Sequence, residues 1–585
     1  MKELLDIITE ELKAAFEQAG FPSGGVKAAI SNRPDLCEFQ CNGALMLAKQ
    51  AKQPPVKIAE QVAEILRKSA SFDEVSAAAP GFINLRLSGE YVAEFVSDMA
   101  KEERFGFVPE KSPGKIVIDY GGPNIAKPLH IGHLRSAIIG ESVKRICRYA
   151  GGEVIGDVHL GDWGLQMGQI IAELRIRKPS LPYFDEGFDG EYPQEAPFTL
   201  TELEEIYPCA SAKCKTDEAF YEEAKTATSE LQQGRRGYTA IWRHVRDISV
   251  ADLKKNYGKL NVSFDLWNGE SDAQKYIPDM IEGFKEGGFL EESDGALVID
   301  VSEESDKKEI PPCIVVKSGG GALYATTDLA TIVSRVKDYS PSHIIYVVDK
   351  RQELHFTQVF RAARKTGIAG GDVKLSFLGF GTMNGRDGKP FKTRAGGVMR
   401  LETLIDETRE AVYDRINRSG KESDPEKACR NAQIIALAAL KYGDLSNQAS
   451  KDYVFDIEKF IEFEGNTGPY ILYTIVRIKS ILKKYGAAPS GRIAYTGDKR
   501  EKELFLSLAG FNAMMREALE GLAPHKICTY IYNLSNVFNT FYHDVRILNC
   551  GDEQKRDSYI SLLVLVKDVL ETCIDLLGFS APESM

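Results

Sequence analysis

The chain has 585 residues, which is too long for one hydrophobic core, so about three or four domains are expected. Its 43% hydrophobic and 27% charged residues are typical of an ordinary globular protein, without an apolar run long enough to span a membrane. The net charge of −12 excludes a chain that coats nucleic acid indiscriminately, but local basic patches leave RNA open as a partner. Ten cysteines in no regular framework favour a reducing, cytoplasmic location.

Residues 1–105 predict a small α/β domain. An amphipathic helix opens the chain, and its acidic residues argue against a signal peptide. Further on, FINLRLS alternates Phe82 and Asn84 with apolar residues, which is the pattern of a strand.

Residues 106–400 predict a doubly wound parallel sheet of the Rossmann type. KIVIDY is a buried strand, GGPNIAKPLHIGH a loop, LRSAIIGESVKRICRYAG a helix, and EVIGDV a second strand. An acidic, helical insertion is expected at about 180–250. The strand pattern then resumes with ALVIDV, PCIVVKS and HIIYVVD and ends near KLSFLGFG. Residues 401–585 read as helical throughout and predict a separate all-α domain.

The loop after the first strand of this sheet is the main candidate site, because ligands bind beyond the carboxyl ends of parallel strands. Gly121 and Gly122 allow backbone to approach a ligand closely. His130 and His133 fall near a helix N-terminus, where N–H groups favour phosphate. Zinc is the alternative, but it needs further ligands at compatible spacing, and the paired cysteines lie elsewhere in the chain. We therefore expect no metal site.

The letters HIGH at residues 130–133 resemble the signature of the class I aminoacyl-tRNA synthetases. Wider stretches are similar to arginyl-tRNA synthetases in particular: DYGGPNIAKPLHIGHLRS, HLGDWGLQMG, LYATTDLA, DKRQELHF, DGKPFKTRAGG and FEGNTGPYILY. The resemblance extends over nearly the whole chain.

The resemblance implies an enzyme that joins L-arginine to ATP as arginyl-adenylate. It then transfers the arginyl group to the 2′-OH of the terminal adenosine of tRNA(Arg). ATP with Mg²⁺ is the expected cofactor, without structural zinc, and family members are commonly monomers. Adenylation is an in-line displacement that needs positioning and charge stabilisation, for which the resemblance implies Lys127, His130, Gly132 and His133.

The second class I signature, KMSKS, is degenerate here. Matching it to residues 390–394 loses both usual lysines, whereas a shift by one places Lys389 and Lys392 on them, and the register stays open. By resemblance, Lys392 and Arg394 join Lys127 as catalytic phosphate contacts, with Lys389 a further candidate. The alternative for this stretch is a solvated basic loop.

Recognition of a forked guanidinium needs acidic and planar acceptors. The family's pocket maps onto this chain at seven positions: Asp119, Asn124, His133, Glu270, Tyr324, Asp328 and Gln352. Asp328 is expected to face the guanidinium, and Tyr324 lies four residues before it on the same helical face. The alternative for Asp328 is a helix N-cap.

Contacts with tRNA are expected from both ends of the chain. By resemblance, Phe82 and Asn84 face the D-loop, since stacking with an edge hydrogen bond suits a single-stranded base. In the C-terminal domain, which resembles an anticodon-binding domain, Tyr470, Tyr473 and Arg477 combine stacking with phosphate contact. Phe82 inside a strand and Tyr470 in a core are the alternatives.

Two other functions are alternatives to this hypothesis. An enzyme that adenylates a small carboxylate without tRNA would leave the first and last domains unexplained. A non-catalytic tRNA-binding relative would be expected to have lost the histidines or the acidic pocket, and this chain retains both.

Overall fold

The computed structural model describes residues 1–318, 323–385, 387–389, 399–420 and 422–585. The chain divides into two compact units. We call residues 1–110, 463–575 and 580–585 the terminal unit, and residues 111–462 and 576–579 the sheet unit.

The helices and strands follow one another along the chain in three groups. Up to residue 110 they are α1 (Leu4–Gln18), β1 (Ala28–Ile30), β2 (Phe39–Cys41), α2 (Gly43–Ala51), α3 (Pro55–Leu66), β3 (Phe72–Ala78), β4 (Phe82–Leu87) and α4 (Gly89–Met99). From residue 111 to 462 they are β5 (Lys115–Asp119), α5 (Gly132–Tyr149), β6 (Glu153–Asp157), α6 (Leu165–Arg177), α7 (Leu200–Thr216), α8 (Glu218–Gln232), α9 (Arg236–Lys259), α10 (Glu270–Ala273), α11 (Ile277–Glu286), β7 (Glu291–Ser293), β8 (Ala296–Ile299), β9 (Cys313–Val316), α12 (Tyr324–Tyr339), β10 (His343–Asp349), α13 (Glu353–Lys365), β11 (Lys374–Phe380), β12 (Met383–Asn384), α14 (Leu401–Ser419), α15 (Pro425–Leu445), β13 (Tyr453–Val454) and α16 (Ile457–Phe460). The chain continues with α17 (Gly468–Tyr485), α18 (Lys499–Ala509), α19 (Phe511–Glu520), α20 (Pro524–Asp544) and α21 (Glu553–Leu576).

The sheet unit is built on a parallel sheet with the strand order β11–β10–β5–β6. β5 pairs with β6 from Lys115 to Asp119, and β10 pairs with both β5 and β11. The strand order reverses between β10 and β5, so a crevice opens beyond the carboxyl ends of these two strands. The predicted doubly wound parallel fold is confirmed, and the loop that carries the two histidines follows β5.

Two segments that the sequence pattern assigned to this sheet form another one. Residues 296–301 and 312–318 supply β8 and β9 to a separate antiparallel sheet, β7–β8–β9. Asp294 and Gly295, with φ of 51° and 75°, make the tight turn between β7 and β8. A two-residue turn of this kind joins antiparallel strands only, so the assignment of these segments to the parallel sheet was wrong.

The region of the predicted insertion contains α7, α8 and part of α9. Thr199 begins α7 with a reciprocal cap: its hydroxyl accepts from the Glu202 N–H at 3.2 Å, and Glu202 accepts from the Thr199 N–H at 2.8 Å. A small apolar cluster of Ala172, Ala210, Phe220 and Ala224 packs these helices against α6.

Residues 401–462 lie in the sheet unit, although the sequence pattern assigned them to the C-terminal helices. They are also not wholly helical, because β13 pairs in parallel with β12. Arg135 of α5, 2% exposed, donates to Asp444 Oδ2 at 3.0 Å and to the Lys451 carbonyl at 3.1 Å. Helical periodicity shows that a segment buries one face, but it does not show which core that face joins.

The terminal unit combines both ends of the chain. Its sheet has the order β1–β2–β4–β3, and Ile83, Leu85 and Leu87 form the buried face of β4. The helices α17 to α21 pack in the same unit, where Lys502 of α18 pairs with Glu38 at 2.8 Å.

One buried cation joins the ends of two strands in the sheet unit. Arg335 of α12, 2% exposed, donates through Nη2 to Asp119 Oδ2 at 2.6 Å and to Asp157 Oδ2 at 2.8 Å. Its guanidinium also lies 5.2 Å from the ring centroid of Tyr346 on β10. Burial raises the pKa of Asp119, because a carboxylate loses its water there.

Replacement of Arg335 by methionine is expected to destabilise the protein by about 3–5 kcal/mol, since it leaves two buried carboxylates without their counter-ion. Urea unfolding followed by circular dichroism measures the change. Arg33→Met is the matched control, because Arg33 pairs with the exposed Asp35 and its loss should leave the free energy of unfolding nearly unchanged. Equal losses in the two variants would contradict the role assigned to Arg335.

Candidate active site

The loop from residue 120 to 131 is held by close packing on both sides. Gly121 has a φ of 89°, and a β-carbon there would lie 2.8 Å from Cζ of Phe264. Its N–H donates to Ser136 Oγ at 2.8 Å, and its carbonyl accepts from the Tyr257 hydroxyl at 3.2 Å. Only glycine combines this backbone conformation with this space, so the first predicted turn glycine is required by the fold.

The two histidines are brought together and oriented by backbone hydrogen bonds. Their ring centroids are 3.9 Å apart. The His130 N–H donates to His133 Nδ1 at 3.2 Å, and the Gly132 N–H donates to His130 Nδ1 at 3.1 Å. A ring nitrogen that accepts a hydrogen bond carries no proton, so each neutral ring carries its proton on Nε2. The site therefore presents two neutral N–H donors.

The N–H groups at the start of α5 are not free to bind phosphate, in contrast to the prediction from the sequence. The Gly132 N–H is engaged by His130 Nδ1, and the His133 N–H donates to the His130 carbonyl at 2.9 Å. A β-carbon at Gly132 would lie 2.8 Å from Cε1 of His130. Gly132 thus makes room for the His130 ring, and the donors are imidazoles.

Both imidazoles are neutral at pH 7. Burial lowers the pKa of His133 to about 3, and repulsion from a protonated His130 and from Lys127 would lower it as well. Burial, with Lys127 beside it, also lowers the pKa of His130. A neutral pair avoids the mutual repulsion of two adjacent imidazolium ions while keeping its N–H donors.

Lys127 is held by the helical insertion. Its Nζ lies 4.8 Å from the ring centroid of Tyr207 on α7, a cation–π contact that the sequence analysis missed. Of the other predicted phosphate contacts, Lys389 is exposed, whereas Lys392 and Arg394 lie outside the described residues.

Tyr324 and Asp328 lie one turn apart on α12. Tyr324 is the first residue of the helix and is 77% exposed. Asp328 lies inside α12 and Leu323 occupies the N-cap, so the capping alternative for Asp328 is wrong. Asp328 Oδ2 is 2.5 Å from Nε2 of His355 on α13.

Glu270 is the first residue of α10 and belongs to the same acidic region. Burial raises its pKa to about 7, and the negative charges of Asp162 and Asp328 raise it further, while His159 opposes them. Near pH 7 this carboxyl group is therefore part neutral and part ionised, so an arriving cation would draw it into the charged form.

Asp162 anchors α10. It is fully buried and accepts from the N–H and the hydroxyl of Ser271 at 3.0 and 2.7 Å. The Trp242 indole donates to the Asp162 carbonyl at 2.9 Å, and Trp163 packs edge-on against Trp242 at 5.1 Å. The sequence analysis gave this Gly-Asp-Trp loop no role; it holds the start of the helix that carries Glu270.

The remaining predicted pocket residues differ in exposure and in their contacts. Asp119 is already paired with Arg335. Asn124 is exposed, and its backbone forms a parallel β-bridge with Gly161. Gln352 is exposed immediately before α13, beyond the carboxyl end of β10. Asn124 and Gln352 thus follow the two strands that border the crevice, while Asp119 also serves the sheet.

Comparison with known proteins identifies the family. The model for the class I tRNA synthetase (R) catalytic domain matches residues 97–457, the DALR anticodon-binding domain matches 471–585, and the arginyl-tRNA synthetase N-terminal domain matches 2–87. The chain is 58% identical over 598 residues to the arginine–tRNA ligase of Agathobacter rectalis, and 55% identical over 588 residues to that of Alkaliphilus oremlandii. Both matches cover 100% of both chains. The chain belongs to the arginyl-tRNA synthetase family.

Solved structures agree with this assignment. Arginyl-tRNA synthetase from Plasmodium falciparum matches with a TM-score of 0.79 at 25% identity, over 100% of both chains. The enzyme from Thermus thermophilus shares the fold, with a TM-score of 0.78 at 23% identity over 100% of both chains. The predicted family, fold class and enzyme class are confirmed: the chain is an aminoacyl-tRNA ligase with an ATP-using class I catalytic domain, and its general role is the charging of tRNA for translation.

The predicted D-loop residues share the half-exposed face of β4. Phe82 and Asn84 are both half-buried, and Asn84 Oδ1 accepts from Gln40 Nε2 at 2.8 Å. Phe82 therefore lies outside the core, so the alternative that buries its side chain is wrong.

The predicted C-terminal contacts form one network on α17 and α20. The Arg477 guanidinium lies 4.7 Å from the Tyr473 ring centroid and 4.9 Å from that of Tyr542. Arg477 donates to Asn539 Oδ1, and the Asn539 amide donates to the Tyr470 hydroxyl at 3.0 Å. Tyr470 is half-buried rather than a core residue, and the sequence analysis missed Tyr542.

Two findings bear on metals and membranes. Among the described residues, no group of three or more His, Cys, Asp and Glu side chains could hold a metal ion. In the same part of the chain, no helix is long and apolar enough to cross a membrane.

The tautomer of the two histidines can be observed directly. At pH 7 both rings are expected in the Nε2–H form, and the His133 signals should not titrate between pH 5 and 8, because its pKa is about 3. Two-bond ¹H–¹⁵N NMR spectra of histidine-labelled protein measure both properties, with His130→Asn and His133→Asn for assignment. An Nδ1–H form, or a His133 midpoint near 6.5, would contradict the hydrogen-bond pattern.

Proposed function

We propose that this chain activates L-arginine with ATP to arginyl-adenylate and transfers the arginyl group to the 2′-OH of the terminal adenosine of tRNA(Arg). The observation that carries the proposal is that one compact unit contains both a neutral two-histidine donor site and a region with two carboxyl groups, Glu270 and Asp328. The first suits phosphate chemistry, and the second suits a guanidinium.

In the first step the carboxylate of arginine attacks the α-phosphorus of ATP, and diphosphate leaves. Negative charge builds on the phosphoryl oxygens, which the Nε2–H groups of His130 and His133 would stabilise as preorganised donors. Lys127 adds a positive charge, steadied by Tyr207. Gly132 acts in ATP binding through the position of the His130 ring, and Lys392 and Arg394 remain the predicted contacts of the KMSKS-like loop.

Arginine recognition rests on charge and shape. Asp328, fixed by His355, accepts the guanidinium fork, and Glu270 ionises as the cation arrives. Tyr324 covers the pocket from the exposed start of α12. Asn124 and Gln352 lie at the strand ends for the α-amine and carboxylate. His133 adjoins them, and Asp119 acts mainly through its pairing with Arg335.

Contacts with tRNA come from the terminal unit. Phe82 and Asn84 on β4 bind a D-loop base by stacking and an edge hydrogen bond. Tyr470, Tyr473 and Arg477 bind the anticodon arm, since a guanidinium lying against two tyrosine rings offers both a charge and a stacking surface.

The proposal also covers the cofactor and the cellular setting. ATP enters as its Mg²⁺ complex, with the ion held largely by the phosphate oxygens, because Mg²⁺ is seldom bound in an all-protein cage. The enzyme needs no structural zinc, acts in the cytoplasm without a membrane, and works as a monomer.

The deciding experiment charges total tRNA with radiolabelled amino acids, each supplied separately with Mg–ATP. Acid-precipitable label from arginine alone is the expected result. Label from another amino acid would overturn the pocket assignment. Without label from any amino acid, the proposal fails, and diphosphate exchange with small carboxylates would test the tRNA-independent alternative.

The raised pKa of Glu270 predicts how arginine binding depends on pH. Below about pH 7 Glu270 is protonated, and above it the carboxylate attracts the guanidinium, so the KM for arginine should fall as pH rises through about 7. The KM for ATP should not follow this curve. Glu270→Gln should flatten the arginine profile between pH 6 and 8.5; an unchanged inflection in this variant would assign the titration to another group.

Replacement of Arg477 by methionine should raise the KM for tRNA about tenfold and reduce the salt dependence of binding by about one charge, since a phosphate contact is lost. The KM values for arginine and ATP should stay within about twofold. Lys484→Met removes an exposed charge from the end of the same helix and is the matched control. Equal effects of the two variants would argue for non-specific charge attraction instead of a built contact.

A further inference from the structure

Among the described residues, His355 makes a short polar contact with Asp328. It lies in the first turn of α13, three residues after Gln352. Its Nε2 is 2.5 Å from Asp328 Oδ2, and the side chains are 29% and 20% exposed. The pair joins α12 to α13 at the acidic region, so it connects the helix that carries Tyr324 with the end of β10.

This contact restricts the rotation of the Asp328 carboxylate, which must lie in one plane to bind a guanidinium. The last torsion of an aspartate is broad, so an unsupported carboxylate rotates with little cost. A forked guanidinium requires both oxygens in one plane, and a planar pairing is lost when that plane turns. A ring N–H bonded to Oδ2 fixes the plane while leaving Oδ1 and the second lone pair of Oδ2 for a ligand.

We propose that His355 is a positioning residue for arginine specificity: it orients Asp328 and does not itself touch the substrate. The inference rests on the proposed function and deepens it. An Nε2–H of His355 that donates to Asp328 Oδ2 holds the carboxylate in one plane. The site thereby gains a fixed acceptor geometry.

A purely structural role would give a different pattern. The His355 ring also packs edge-on against Phe356 of the core, with centroids 5.2 Å apart. Loss of that packing would lower stability and affect all substrates alike. Loss of orientation would raise the KM for arginine and leave the KM for ATP and kcat nearly unchanged, since Asp328 takes no part in the phosphoryl chemistry.

The test compares His355→Leu, His355→Gln and the wild type in aminoacylation. His355→Leu should raise the KM for arginine about tenfold, as expected for loss of a hydrogen bond to a charged group. His355→Gln places an amide N–H at similar reach and should restore the KM to within about threefold. Gln358→Leu is the control, because Gln358 lies three residues further on α13 and donates to the Pro311 carbonyl at 2.8 Å.

A double-mutant cycle separates orientation from folding. In an Asp328→Asn background, His355→Leu should change the KM for arginine by less than about twofold, since its effect passes through Asp328. Parallel losses in kcat and in the KM values of both substrates, or additive effects in the cycle, would overturn the inference. If His355→Leu does not fold, His355→Gln alone decides: an arginine KM raised as far as that of Asp328→Asn would sink the idea. Wild-type charging of arginine in the same assay shows that the proposed function stands whatever these variants do.

Discussion

The catalytic architecture depends on one buried cation. Asp119 and Asp157 end two adjacent parallel strands, and in a core without water their carboxylates would repel each other and favour protonation. Arg335 lies 178 residues after Asp157 in the chain and bonds to both carboxylates. The guanidinium therefore stabilises the carboxyl edge of β5 and β6 and, through its contact with Tyr346, joins β10 to them. The loop that carries the two histidines departs from this edge, so its starting point is fixed before any ligand binds.

The side chains beyond that edge are held in particular protonation states and tautomers. The histidines are kept neutral by burial and by each other, and backbone N–H groups select the Nε2–H tautomer. The acids are arranged differently: Asp328 is held by the ring nitrogen of His355, whereas Glu270 stays close to its ionisation point. A pocket with one fixed acceptor and one responsive acid limits the cost of burying two charges while no substrate is present.

The helical insertion and the Gly-Asp-Trp loop support this site from outside. Tyr207 of α7 steadies Lys127, and Trp242 of α9 bonds to the loop at Asp162, which in turn caps α10 beneath Glu270. The insertion therefore takes part in positioning both Lys127, the proposed phosphate contact, and the acidic region. Its sequence is acidic and lacks a motif of its own, which is why composition alone did not reveal this role.

Local patterns in the sequence determined the elements that depend on neighbouring residues. The HIGH letters, the alternation in β4 and the strand–loop–helix order around β5 each follow from short-range periodicity and turn chemistry, and they predicted the fold class and the histidine site. Tertiary structure decided what long-range contacts control: that β8 and β9 form their own sheet, that residues 401–462 pack with the sheet unit, and that Asp119 is paired with Arg335. A sequence shows that a face or a charge must be buried, but its partner is set by packing between segments far apart in the chain, which no local pattern records.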